Sequence, residues 1–112
     1  MAVDLRLRTK DTGECVELVP VVTMQTFRDY WKPGCEELNL QIVPCFDDGI
    51  YGGEVRDLTR QELLVAVDEL RALGEWFEAK HSPPDGRALR ERATRVLRVL
   101  ERVLNDPNLT IG

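Results

Sequence analysis

The feature that most constrains the fold is a pair of apolar stripes with helical spacing in the second half of the chain. One stripe lies between residues 60 and 80, the other between residues 87 and 104. The connection from His81 to Gly86 contains two prolines, which end the first pattern. We therefore predict two amphipathic helices that pair antiparallel and cover a sheet. The stripes consist of Leu63, Ala66, Val67, Leu70, Leu73 and Phe77, and of Leu89, Ala93, Val96, Leu97, Leu100, Val103 and Leu104.

The start of the first helix is marked by Thr59-Arg60-Gln61-Glu62. The Thr59 hydroxyl is placed to accept from the amide of Glu62, and the Glu62 carboxylate to accept from the amide of Thr59. This capping box predicts a helix that begins at residue 60 and runs to about Lys80.

The beginning of the chain has the pattern of a β-hairpin. Residues 3–8 alternate between apolar and charged side chains, which indicates a half-buried strand. Asp11-Thr12-Gly13 supplies a turn, and a Val-rich second strand follows over about residues 14–23. Pro20 lies within this strand and predicts an edge position or a bulge, because proline cannot donate to a ladder.

The middle of the chain predicts a second hairpin. Residues 24–37 contain the turn pair Pro33-Gly34, and we interpret them as a loop or one short helical turn. Alternating apolar residues predict a strand over 38–46. Asp47-Asp48-Gly49 is then expected to reverse the chain, and 50–57 to return as the partner strand. Residues 108–111 are a candidate for a short extra strand. The alternating apolar residues are Leu38, Leu40, Ile42 and Phe46.

These patterns predict a single α+β domain over residues 1–112. We expect an antiparallel sheet of about four strands, from two hairpins, packed against two antiparallel C-terminal helices. A length of 112 residues, with 43% apolar and 31% charged, fits one globular domain. No apolar run approaches the roughly 18 residues of a membrane span. The N-terminus has no signal-peptide pattern, so we expect a cytoplasmic protein that does not bind membranes.

The charge distribution favours a basic partner. The net charge is −5, and residues 1–58 hold eleven acidic and six basic side chains. Residues 59–112 hold nine of each. Because nucleic acids and anionic membranes are themselves negative, the excess of carboxylates predicts that the protein binds neither.

The sequence contains little that predicts catalysis or a cofactor. His81 is the only histidine, and its place at a helix end beside prolines favours a structural role. Neighbouring carboxylates at 36–37 and 47–48 are interpreted as solvated charge, and the glycines at 49–53 as part of a hairpin. Cys15, Cys35 and Cys45 are too widely spaced for a zinc site, and we expect reduced thiols packed as small apolar groups. We predict no enzyme activity, no metal and no cofactor.

Two helix faces are candidates for contact with another molecule. An arginine stripe (Arg87, Arg95, Arg98 and Arg102) follows the last helix, with Glu91 within it at i±4 spacing. We interpret it as a solvated or internally packed face, with an interface to an acidic partner or to a second copy as the alternative. A second apolar strip on the preceding helix consists of Val65, Ala72 and Trp76. We expect the last helix to bury it, with an intermolecular contact as the alternative. The residues of a predicted oligomer contact are Val65, Ala72, Trp76, Arg95 and Arg98.

The function that these observations favour is a small, acidic, non-enzymatic protein-interaction module that binds a basic protein. An inhibitor or an immunity-type protein is a concrete form of it. Aromatic side chains would supply most of the affinity, and carboxylates would speed the encounter. Tyr30 and Trp31 either anchor their loop in the core or form the exposed recognition surface. The predicted partner surface comprises Tyr30, Trp31, Glu36, Glu37, Asp47, Asp48, Tyr51 and Glu54.

Two other functions remain open from sequence. One is a homo-oligomeric structural or regulatory protein that associates through Trp76 or the arginine stripe. The other is a small-molecule binding protein with a cavity between sheet and helices, lined by Phe27, Phe46 and Phe77.

Overall fold

The computed structural model describes residues 2–50 and 58–112 and has an α+β architecture. Its described strands, β1 (Ala2–Thr9), β2 (Cys15–Thr23) and β3 (Leu109–Ile111), form one antiparallel sheet in the order β2-β1-β3. Two long helices, α3 (Arg60–Lys80) and α4 (Asp85–Asn105), pack antiparallel, and α4 packs against strands β2 and β3.

The predicted first hairpin is confirmed. Gly13 has a φ of 72°, the left-handed conformation that a tight turn requires and that glycine adopts at little cost. Pro20 lies in an edge strand and next to a register shift, since Val3 pairs with Val22 whereas Asp4 pairs with Pro20. The short terminal strand is also present and pairs with the end of β1.

The two faces of the hairpin differ in burial. On β1, Val3, Leu5 and Leu7 are buried beneath the helices, as their alternation predicts. On β2, Val16 and Leu18 are 51% and 56% exposed, so the start of this edge strand shows aliphatic side chains to solvent.

The helical hairpin closely matches its prediction. Helix α3 runs from Arg60 to Lys80 and α4 from Asp85 to Asn105. Both hydrogen bonds of the capping box are formed: the Glu62 amide donates to Thr59 Oγ1 at 3.1 Å, and the Thr59 amide donates to Glu62 Oε1 at 3.0 Å. None of the helices in the described ranges is long and apolar enough to cross a membrane.

Residues 24–37 are helical, so the interpretation of this segment as a loop or a single turn is wrong. It consists of α1 (Met24–Thr26), a π-helical turn (Phe27–Trp31) and α2 (Lys32–Glu37), hereafter the 24–37 segment. Thr23 caps its start by accepting from the Thr26 amide at 3.1 Å. Pro33 lies in the first turn of α2, directly after the π-helical turn.

The predicted strand over 38–46 is also wrong. The 24–37 segment ends in a Schellman motif: Asn39 has a φ of 54°, and the Leu40 amide donates to the Cys35 carbonyl at 2.9 Å. A 3₁₀ helix (Val43–Ile50) follows, and it includes the residues predicted to form a tight reversal. The predicted return strand over 50–57 lies almost wholly in 51–57, outside the described residues. The described sheet therefore has three strands, where about four were predicted.

A buried carboxylate explains why residues 41–43 are not extended. Glu69 of α3 is only 8% exposed, and its carboxylate accepts from three consecutive backbone amides. Gln41 donates to Oε2 at 2.7 Å, and Ile42 and Val43 donate to Oε1 at 2.9 Å each. These bonds hold the chain against α3 where the 3₁₀ helix begins, and they satisfy the buried charge.

Candidate functional site

A row of aromatic rings runs from the core to the surface where the 24–37 segment meets the end of α3. Its inner part is buried: Phe27 stacks on Trp31 with ring centroids 5.8 Å apart, and Trp31 lies 5.9 Å from Phe77. These rings join the 24–37 segment to the helical hairpin.

The outer part of the row is open to solvent, and we call it the aromatic ridge (Tyr30, Trp76 and His81). Tyr30 meets His81 edge to face at 5.3 Å, and Trp76 meets His81 in the same way at 5.9 Å. Tyr30 is 39% exposed, and the other two side chains are half-buried. The ridge rests on Phe77, whose ring lies 5.7 Å from that of Trp76.

The backbone of the 24–37 segment determines which rings reach the surface. In its π-helical turn, the Lys32 amide donates to the carbonyl of Phe27, and Phe27 and Trp31 are both buried. Tyr30, which directly precedes Trp31, is then directed outward. Turns of this kind are rare and are frequent at functional sites.

Gly34 allows the 24–37 segment to pack closely on α3. A Cβ atom at this position would lie 2.6 Å from Leu73 Cδ1 and 2.9 Å from Trp76 Cε3. The absence of a side chain at Gly34 therefore makes room for the indole of Trp76.

Glu37 fixes the orientation of the Trp76 ring. The indole Nε1 donates to Glu37 Oε2 at 2.5 Å, and Lys80 Nζ lies 3.3 Å from Glu37 Oε1. The hydrogen bond from Trp76, followed by that from Lys80, lowers the pKa of the Glu37 carboxyl below its ordinary value of 4.5. The carboxylate is thus ionised at neutral pH and holds the ring in one position.

Comparison with protein-family models, with curated protein sequences and with solved structures finds no match for this chain. Its function is therefore argued from the geometry of its own residues.

Of the predicted partner surface, Tyr30 belongs to the aromatic ridge, and Glu37 contacts it through Trp76. Tyr30, Glu36 and Glu37 are exposed on the 24–37 segment. Trp31 is fully buried, so its prediction as a surface residue is wrong: it follows Phe27 by four residues and shares the inner face of the helix. The side chains of Asp47 and Asp48 lie outside the described part of the structure, as do Tyr51 and Glu54.

The predicted oligomer contact is divided between two surfaces. Trp76 packs against α2, so the prediction that α4 covers its strip is wrong; the flank of α3 that faces α4 is at Gly74, beside Arg90. Val65 and Ala72 are half-buried. Arg95 and Arg98 are exposed on α4, and the structure does not bring them to the strip.

The arginine stripe is a solvated face. Arg87, Arg95 and Arg98 are exposed, and none of them forms an ion pair with Glu91 or with any other described acid. Arg102 alone contacts β2, through Glu17 at 3.9 Å. The i±4 spacing of Glu91 from Arg87 and Arg95 therefore does not produce ion pairs.

The remaining candidate residues have mixed outcomes. Cys35 is buried as predicted, whereas Cys15 and Cys45 are exposed. Phe27, Phe46 and Phe77 are packed core residues, each no more than 5% exposed. Among the described side chains, no three His, Cys, Asp or Glu residues come together as metal ligands would.

Sequence reasoning missed the contacts that Glu37 makes with Trp76 and Lys80. A partial signal was available, since Trp76 and Lys80 are four residues apart on one helix and face the same way. Their partner is 39 residues from Trp76. No local pattern in the sequence joins Glu37 to that pair.

Proposed function

We propose that this chain is a non-catalytic protein-interaction module that binds a basic protein through the aromatic ridge. The observation that carries the proposal is that the exposed Tyr30 and the half-buried Trp76 both pack edge to face on His81, while Glu37 accepts a hydrogen bond from the Trp76 indole. Tyrosine and tryptophan are enriched among the residues that dominate binding energy. Rings that are already oriented lose little conformational entropy when a partner covers them.

The net charge of the first half of the chain favours a cationic partner. Lys80 balances Glu37, but Asp29 and Glu36 are exposed and take part in no ion pair within the described structure. The same segment also carries the exposed cations Arg28 and Lys32, so the preference for a basic partner comes from the acidic excess of residues 1–58 as a whole. That excess would attract a basic surface and speed association. An inhibitor or immunity-type protein directed at a basic toxin is one form of this function.

The test is quantitative affinity capture from the native host with three baits: wild type, Tyr30→Ala and Leu64→Ala. Leu64 is a matched control because it is an exposed apolar residue, 46% accessible, on the solvent face of α3 and outside the ridge. We expect a basic protein that wild type and Leu64→Ala retain equally and that Tyr30→Ala loses by about tenfold or more, as befits a residue that contributes above 1.4 kcal/mol. Equal retention by all three baits, or retention of no basic protein, would count against the proposal.

A further inference from the structure

A cavity at the opposite end of the helical hairpin has no part in the proposed function. It opens where α3 begins, α4 ends and β3 returns to the sheet, and its volume is about 350 Å³. This lies within the size range of small-molecule sites. The residues that line it are Lys10, Leu58, Arg60, Leu63, Val103, Leu104, Asp106, Pro107, Leu109 and Thr110.

Apolar and polar groups share the lining of this cavity. Leu63, Val103 and Leu109 are buried, and Leu58 and Leu104 are half-buried. Leu58 and Leu104 keep part of their surface exposed, and a hydrocarbon group that entered here would remove that surface and its own from water.

The rim of the cavity is positively charged. Lys10 and Arg60 are exposed, and neither forms an ion pair within the described structure. The Arg60 guanidinium is held in place because its Nη1 donates to the Leu104 carbonyl at 3.1 Å, which leaves its other N–H groups available. One carboxylate, Asp106, also lines the cavity, and its Oδ1 accepts from the Asn108 amide at 3.0 Å.

We propose that this cavity binds a small amphipathic carboxylate, with its apolar chain against the leucines and its carboxylate between Lys10 and Arg60. Two cations against one anion give the lining a net positive charge, and a guanidinium is well matched to a carboxylate. The single carboxylate of such a ligand complements that charge, whereas an uncharged or cationic ligand of the same shape does not.

The test compares hexanoate, hexan-1-ol and hexylamine by NMR titration of the folded protein. We expect saturable shifts for hexanoate at the amides of residues 58–63 and 103–110. The affinities for hexan-1-ol and for hexylamine should be at least about threefold weaker, in line with the strength of exposed charge pairs. Lys10→Gln should weaken hexanoate binding by a similar factor. Arg98→Gln should leave it unchanged, because Arg98 is an exposed cation of α4 outside the cavity.

Three results would overturn the proposal. They are equal affinities for hexanoate and hexan-1-ol, hexanoate binding that Lys10→Gln leaves unchanged, and the absence of saturable shifts at the cavity. A Leu104→Trp variant, checked for its fold by its amide spectrum, provides a second test. The indole would occupy the cavity and should abolish the hexanoate shifts, whereas retained shifts would place the ligand elsewhere.

Discussion

At the scale of single residues, Glu69 connects two parts of the chain that sequence patterns treat separately. Its carboxylate accepts from the amides of residues 41–43, and it is the one buried charged side chain in the described core. Each amide would otherwise be left without a partner near an apolar interior. The junction between the 24–37 segment and the 3₁₀ helix therefore depends on one carboxylate.

Replacing Glu69 by Gln should lower the free energy of unfolding by about 2 to 4 kcal/mol, because charge-assisted bonds are lost and an NH₂ group meets backbone donors. Urea unfolding monitored by circular dichroism measures the change. Glu75→Gln, an exposed substitution on the same helix, should change it by no more than about 0.5 kcal/mol. Equal unfolding midpoints for the two variants would show that the hydrogen bonds from residues 41–43 to Glu69 contribute no stability.

The Glu37 carboxylate should make the Trp76 environment sensitive to acid. The pKa of Glu37 is lowered in the folded state. The contact therefore stabilises the fold fully at pH values above the pKa of the unfolded chain, and this stability is lost as the pH falls through the pKa of the folded protein. We expect the indole N–H signal of Trp76 to titrate with a midpoint below 4.5 by NMR.

Two controls accompany this titration. The Trp76 titration should be absent in Glu37→Gln, and the buried Trp31 signal should not follow it. A midpoint at or above 4.5 would mean that the carboxylate is not stabilised by the indole.

At the scale of elements, the outcome of sequence reasoning depended on whether the controlling interactions were local. The capping box at Thr59 and the apolar stripes of α3 and α4 are local patterns, and their helices begin and end within two residues of prediction. The 24–37 segment was missed because Pro33-Gly34 resembles a turn. In the structure, Pro33 occupies the first turn of α2, and Gly34 is required by the neighbouring Trp76.

The region after Glu37 was missed for a different reason. Its apolar residues alternate as in a strand, but its conformation is determined by Asn39 in the left-handed region and by Glu69, which is 26 residues beyond Val43. Contacts over that distance are not readable from alternation. The position of Trp31 was missed in the same way. It was predicted on the surface beside Tyr30, but it is buried against Phe77, a residue far along the chain.

The close approach of α4 to the end of α3 gives a prediction at this scale. A Cβ at Gly86 would lie 2.5 Å from the His81 carbonyl oxygen and 2.8 Å from that of Phe77, and neither backbone atom is free to move. Gly86→Ala should therefore destabilise the protein by about 1 to 3 kcal/mol, which thermal unfolding would show as a fall in Tm of about 4 to 8 °C per kcal/mol.

Gly74→Ala is the matched control for that substitution. A Cβ at Gly74 would lie 3.1 Å from its nearest neighbour, Cγ of the flexible Arg90 side chain. Alanine also has a higher helix propensity than glycine. Its stability should change by less than about 1 kcal/mol. If both variants unfold at the wild-type temperature, the two helices do not approach as described.

At the scale of the whole molecule, different surfaces carry different chemistry. The aromatic ridge lies beside unpaired carboxylates, the arginine stripe follows the outer face of α4, and the cationic cavity lies at the far end of the helical hairpin. A basic partner would be attracted to the first and repelled by the other two. This separation lets electrostatics determine which side of the molecule a partner meets.

Glu36→Lys should slow association with the captured basic partner without unfolding the protein, because Glu36 is exposed and outside the core. Stopped-flow measurements should show the largest difference from wild type at low ionic strength, and the difference should shrink as salt screens the charges. Arg98→Glu, a reversal on α4, should not slow association. Association rates that change neither with the Glu36→Lys substitution nor with salt would contradict the proposal that the carboxylates speed association.

The most direct test of the central claim is a hydrogen-exchange footprint of the captured partner on this protein. Amide exchange would be compared between the free protein and its complex, residue by residue. We predict new protection concentrated at residues 27–37 and 76–81, which carry the aromatic ridge. Protection confined to β2 or to the outer face of α4, with the ridge unchanged, would contradict the account.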